Sequence, residues 1–172
     1  MKILLPGLIL LFFLSCNDNG IEPKPELPES TGFSGKITFL GVWPDSIKRT
    51  HIVVFKDPLL TSLDFNILNL KYVSYEIPYG TRIFFYNTTT DSSYFPLDGI
   101  FQAGEYAYVA VAQSNTPELS LYRRDWFVAG VFYADADTTQ PAKLIVNEGK
   151  LTKDIDIICD FDNPPPQPPG GD

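Results

Sequence analysis

The strongest constraint on this fold is a two-residue rhythm of apolar and polar side chains that recurs from Phe33 to Phe161. In Phe33-Ser-Gly-Lys-Ile-Thr-Phe39, Phe33, Ile37 and Phe39 face one way and Ser34, Lys36 and Thr38 the other. That is the period of a half-buried strand, because successive side chains leave a pleated backbone on opposite sides. Val42-Trp-Pro-Asp45 breaks the rhythm, since proline cannot donate to a ladder. His51-Ile-Val-Val-Phe55 resumes it and Asp57-Pro58 ends it. Strands are expected again at 71–77 and 82–86, around the turn signal Pro78-Tyr-Gly80. Both faces of the run from Tyr106 to Ala112 are apolar, with Tyr106, Tyr108 and Ala110 on one side and Ala107, Val109 and Val111 on the other. Such a strand belongs in the middle of a sheet. A tight turn at Ala103-Gly104 leads into it. Asp125 to Tyr133 reads similarly, with Gly130 marking a bulge or a close backbone approach. Lys143 to Asn147, a turn at Glu148-Gly149 and Asp154 to Phe161 are expected as a last hairpin.

The stretches between carry weaker signals. Leu60, Leu63, Ile67 and Leu70 fall at helical spacing, but Thr, Asn and Asp dilute the pattern. The expectation there is a loop with one helical turn. Thr88 to Ser93 reads as an exposed polar loop. Asn163 to Asp172, with five prolines and two glycines, is expected to be a disordered tail.

The first 16 residues constrain location rather than fold. Ile3 to Leu14 is almost wholly apolar behind a single Lys2, which suits a signal-peptide core and is too short to span a bilayer. Ser15-Cys16 ends it. This ending resembles the lipobox of bacterial lipoproteins, in which the cysteine after a small residue is acylated and becomes the mature N-terminus. Phe13 stands where that family usually has leucine. The resemblance implies residues 1–15 as signal peptide, Cys16 as the lipidation site, and membrane lipid as a partner in the cell envelope, with the outer membrane expected. Several acyl chains, at about 0.8 kcal/mol per buried methylene, suffice for stable anchoring. Residues 16–31 carry Pro23, Pro25 and Pro28 among polar groups and read as a tether reaching roughly 45 Å when polyproline-like.

After the leader, one domain's worth of chain remains, expected over 32–162. The net charge of −8 disfavours nucleic acid. Of the two cysteines, an acylated Cys16 cannot pair with Cys159, so the domain rests on its hydrophobic core. About seven to nine strands with no long helix argue for an all-β antiparallel Greek-key sandwich. Gly35-Lys-Ile-Thr-Phe39, Gly104-Glu-Tyr106, Leu144-Ile-Val-Asn-Glu-Gly149 and Ile155-Asp-Ile157 resemble phrases of the prealbumin-like (transthyretin-like) sandwiches, including carboxypeptidase regulatory-like modules. Ala103 stands where that family has a proline. The resemblance implies a non-catalytic module and supplies no catalytic residue.

Candidate chemistry is sparse. His51 is the only histidine, starts a strand, and has no nucleophile elbow to serve, so a surface or sheet-edge position is expected. Alternation puts Cys159 in the core as an inert thiol, and no zinc site or cofactor is expected. Calcium is weighed at Asp135 and Asp137 and on the outer face shared by Asp154, Asp156 and Asp160, against the plainer reading of solvated carboxylates. Trp43, beside Pro44, is the better candidate for stacking on a sugar, and Trp126 reads as core; packing is favoured for both. The expected function is therefore a membrane-anchored, non-catalytic binding or scaffolding module with a protein or glycan partner. A carbohydrate-binding surface lipoprotein and an envelope hydrolase are its rivals.

Overall fold

A computed structural model describes residues 30–97, 100–134 and 138–171, and among these the regular structure is nearly all β. Cys16, the leader, most of the tether, Asp135 and Asp137 lie outside the described residues. The strands are β1 (Gly32–Leu40), β2 (Arg49–Phe55), β3 (Leu70–Ser74), β4 (Ile83–Asn87), β5 (Ser93–Phe95), β6 (Gly104–Tyr106), β7 (Tyr108–Ser114), β8 (Phe127–Val131), β9 (Leu144–Val146), β10 (Leu151–Thr152) and β11 (Ile157–Asp160). Nine of them form one sheet, in which β1 lies between β4 and β11 and the order continues through β8, β7, β2, β3 and β5; β6 and β9 make a second, two-stranded sheet.

The main sheet curls around one core. Phe33 of β1 meets Tyr72 of β3 and Tyr86 of β4, each with ring centroids 5.7 Å away, and Phe101 at 5.0 Å. Residues from strands distant in the sheet order can converge on one ring only if the sheet bends back on itself. The alternating inward residues Ile37, Phe39, Ile52, Val54, Val109, Val111, Ile157 and Cys159 fill the same interior. Part of the outer face is covered too. Phe55, Tyr108, Ala110, Val128 and Val131 pack with Leu59 and Phe65 from the connection after β2. That connection holds the single 3-10 turn expected, Ser62–Asp64, tied by Asp64 Oδ2 accepting the backbone N–H groups of Leu60 and Thr61. The leucines at helical spacing do not build a core face there, for Leu60 and Leu63 stay exposed.

Four expectations of pairing and placement are corrected. The segments at 143–147 and 154–161 do not form a hairpin: β9 pairs with β6, while residues 151–160 run parallel to β1 and then between β1 and β8. The pairing offset grows by one residue between Phe33↔Thr152 and Ile37↔Ile157, which is a bulge, and Asp154 sits in it at φ 62°. The strands flanking Pro78-Tyr-Gly80 likewise do not pair with each other; β4 joins β1, and β3 lies between β2 and β5. The run from Tyr106 is not continuous. Ala107 N–H bonds the Lys56 carbonyl at the break, and Tyr106 turns into the core beside Val109 and Val111 while Tyr108 faces outward. Thr88, at the head of the supposedly exposed loop, is buried because its Oγ1 accepts the Phe33 N–H at 2.8 Å.

The segment 163–171 is placed rather than loose. Val128 lies on the β8 edge beyond the end of β11, and the Gln167 side chain takes over the missing strand: Oε1 accepts the Val128 N–H at 2.8 Å and Nε2 donates to the Val128 carbonyl at 2.9 Å. Proline cannot supply a ladder N–H, so a side-chain amide does.

Candidate functional site

The residues singled out by sequence prove to be mostly internal. Trp43 is 8% exposed; it packs on Phe39 at 4.6 Å and Phe161 at 5.3 Å, and its Nε1 donates to the Thr81 carbonyl at 3.0 Å. It is packed into the core. Trp126 is equally buried, its Nε1 donating to the Ser120 carbonyl at 2.8 Å.

His51 is wholly buried, which corrects the surface placement. Its strand is interior, with β7 on one side and β3 on the other, and its ring lies 5.7 Å from Tyr94 and 5.8 Å from Trp126. Nδ1 stands 3.0 Å from the Ser74 carbonyl, so Nδ1 carries the proton of the neutral ring and Nε2 is buried without a hydrogen-bond partner. Burial lowers its pKa, opposed by the Ser74 carbonyl and the nearby Glu76 carboxylate and reinforced by Arg49. Cys159 is wholly buried against Gly130, and burial pushes its thiol far up, which keeps it protonated and unreactive.

The carboxylates of the last strand are split by the bulge. Asp156 spends one oxygen on the Lys36 backbone N–H (2.8 Å) and the other on Lys36 Nζ (3.2 Å). Asp160 accepts the Asp162 N–H at 3.0 Å. Among the described residues no group of three His, Cys, Asp or Glu side chains could hold a metal ion.

Two clefts flank the segment 163–171. The first, of about 510 Å³, opens between the Pro44–Ile47 turn, the end of β7 and residues 167–171. Ser46, Asn115, Arg124 and Asp125 give its walls hydrogen-bonding groups, and Trp126 and Phe127 give it an aromatic side. Gln113 lies at its floor, wholly buried, with Nε2 donating to Thr50 Oγ1 at 3.3 Å and Oε1 lacking a protein partner. Arg123 is buried beneath, donating to the carbonyls of Trp126 and of Pro168, the latter at 2.8 Å. The second cleft, of about 620 Å³, brings Asp156, Asp160, Tyr133 and Ile158 together under Pro164–Pro166. Both are within the size range of small-ligand sites.

Sequence reasoning missed the first cleft because its parts lie far apart, at 44–47, 113–115, 123–127 and 167–171, and none forms a motif. The available signal was Gln113-Ser-Asn115, polar residues ending an otherwise apolar strand. The two phrases Gly104-Glu-Tyr106 and Leu144-Ile-Val146 do meet, as the paired strands of the small sheet. No helix among the described residues is long and apolar enough to cross a membrane. No family model, curated protein or solved structure matches the chain.

Proposed function

We propose that this chain is a lipid-anchored, non-catalytic binding module of the bacterial cell envelope. In this reading Cys16 carries the lipid, residues 16–31 are the tether, and the prealbumin-like resemblance describes the role of the domain as a recognition unit. The observation that carries the binding role is the cleft at the end of β7, where hydroxyl, amide, guanidinium and carboxylate groups surround an aromatic wall. Planar polar side chains beside aromatic carbon suit a neutral ligand rich in hydroxyl groups, so a glycan is the ligand class favoured. The two groups most suited to nucleophilic or acid–base chemistry, His51 and Cys159, are sealed in the core, which weighs against catalysis.

Two measurements test this. Replacing Cys16→Ser is expected to move the protein out of the membrane fraction, and its undiminished recovery there refutes the anchor. The full chain on a glycan array is expected to show saturable binding that Asn115→Ala with Arg124→Ala abolishes. A folded protein that binds no glycan, or whose binding ignores that pair, refutes the cleft as a glycan site.

A further inference from the structure

Residues 163–171 are held by contacts that read particular chemistry. Val128 offers one backbone N–H and one carbonyl past the end of β11, and the Gln167 amide matches both at 2.8 and 2.9 Å. Arg123, buried between the body and the segment, holds the Pro168 carbonyl at 2.8 Å. Of the two glycines that end the segment, Gly170 fits where another residue would not, and Gly171 lies close against Arg123. A Cβ on Gly170, which has φ 81°, would stand 2.6 Å from Ser62 Cβ, and one on Gly171 would stand 3.0 Å from both Arg123 Nη atoms. Pro164–Pro166 form the rim of the second cleft. A side-chain amide, a carbonyl and the missing side chain of Gly170 thus define a sequence, Gln-Pro-Pro-Gly, on a proline-stiffened backbone that loses little entropy when it docks.

None of these contacts requires that the segment belong to the same molecule. We propose that the flank of β8 is a peptide-docking groove for this sequence, filled in cis by residues 163–171 and open to exchange with the same segment of a second copy of the chain. The cis segment has the advantage of a high effective concentration, so exchange emerges where copies crowd or where the cis contact is weakened. This inference does not depend on the glycan reading.

The test uses the full chain carrying Gln167→Ala, labelled with ¹⁵N, with the Val128 amide as reporter. A synthetic peptide of residues 163–172 is expected to shift that resonance saturably, with an affinity at least about tenfold higher than for the wild-type chain, whose groove is filled. The peptide with alanine in place of its glutamine is expected to lose the effect. Unlabelled wild-type chain at millimolar concentration is expected to shift Val128 in the same direction as the peptide. Gly170→Val, which dislodges the segment through Ser62 without removing the Gln167 side chain from the sequence, is a second acceptor and is expected to behave alike. If neither variant responds to the peptide while the rest of its spectrum stays native, the groove is refuted. If the peptide shifts Val128 and the wild-type copy does not, exchange between copies is refuted.

Discussion

The buried His51 makes the stability of this domain depend on pH in a window where few other groups titrate. Its pKa is held below the ordinary value of 6.5, chiefly because burial penalises the charged ring. The unfolded chain therefore binds this proton more readily than the folded one, and stability falls as pH drops below 6.5. The loss continues until pH reaches the folded-state pKa, where both states carry the proton. Between pH 7.5 and 5.5 one such group can remove at most about 1.4 kcal/mol. The Ser74 carbonyl and Glu76 resist the shift and Arg49 reinforces it, so the measured loss reports their balance. Because the chain holds a single histidine, the assignment is direct. Urea unfolding at pH 7.5, 6.5 and 5.5 should give a falling midpoint at constant slope, and the His51→Gln variant should lose most of this dependence. The single imidazole resonance in NMR should titrate below 6.5 in the folded protein. A folded-state value at or above 6.5, or an equal pH slope in His51→Gln, would refute the argument.

Two substitutions probe the close contacts that fix the sheet. In Gly130→Ala the new Cβ would lie 2.6 Å from Cys159 Sγ and 2.7 Å from the Ile158 carbonyl oxygen, and the latter cannot swing away. A loss of about 1–3 kcal/mol by urea unfolding is expected, and a change under about 0.5 kcal/mol would count against the packing described. Thr88→Val keeps the shape but removes the hydroxyl that accepts the Phe33 N–H at 2.8 Å and donates to the Phe33 carbonyl at 3.0 Å. It should cost about 1–3 kcal/mol, while Thr88→Ser should cost markedly less; equal losses in the two variants would show that the hydroxyl is not what matters.

The alternation of Phe33, Ile37 and Phe39 and of Ile155, Ile157, Cys159 and Phe161 was legible in the sequence; the first six are buried and Phe161 is half-buried against the same core. Gly130 was legible as a close approach or a bulge, and it is the close approach: its Cβ position is filled by Cys159, while the bulge lies beside it at Ala129, which has no partner between the pairs Val111↔Gly130 and Ala112↔Val128. What the rhythm could not convey is which strand lies beside which. Period-two alternation is the same for a hairpin and for a parallel pair, so the last strand read as the partner of 143–147 although it lies parallel to β1. Nor does alternation report whether a sheet face is covered. His51 alternates outward from the core, yet Tyr94 and Trp126 close over that face.

The remaining gap between sequence and structure has one physical source. At several strand ends and bulges, a backbone group that a neighbouring strand would have paired is paired by a polar side chain. Thr88 serves Phe33, Ser74 Oγ serves the Ile52 N–H at 2.8 Å, Asp156 serves Lys36, and Gln167 serves Val128 on both sides of its peptide. An unpaired backbone group costs about 1–3 kcal/mol when buried, as the Phe33 and Ile52 N–H groups are, so Thr88 and Ser74 hold the sheet there as firmly as apolar residues do. In sequence they look like loop residues, because their composition is that of loops. The proline-rich segment is the extreme case: with too few apolar groups to pack by itself, it is held by one amide and by the carbonyl it offers to Arg123. Segments fixed in this way depend on a few directed bonds rather than on area buried, and a few directed bonds can be matched by another chain of the same sequence.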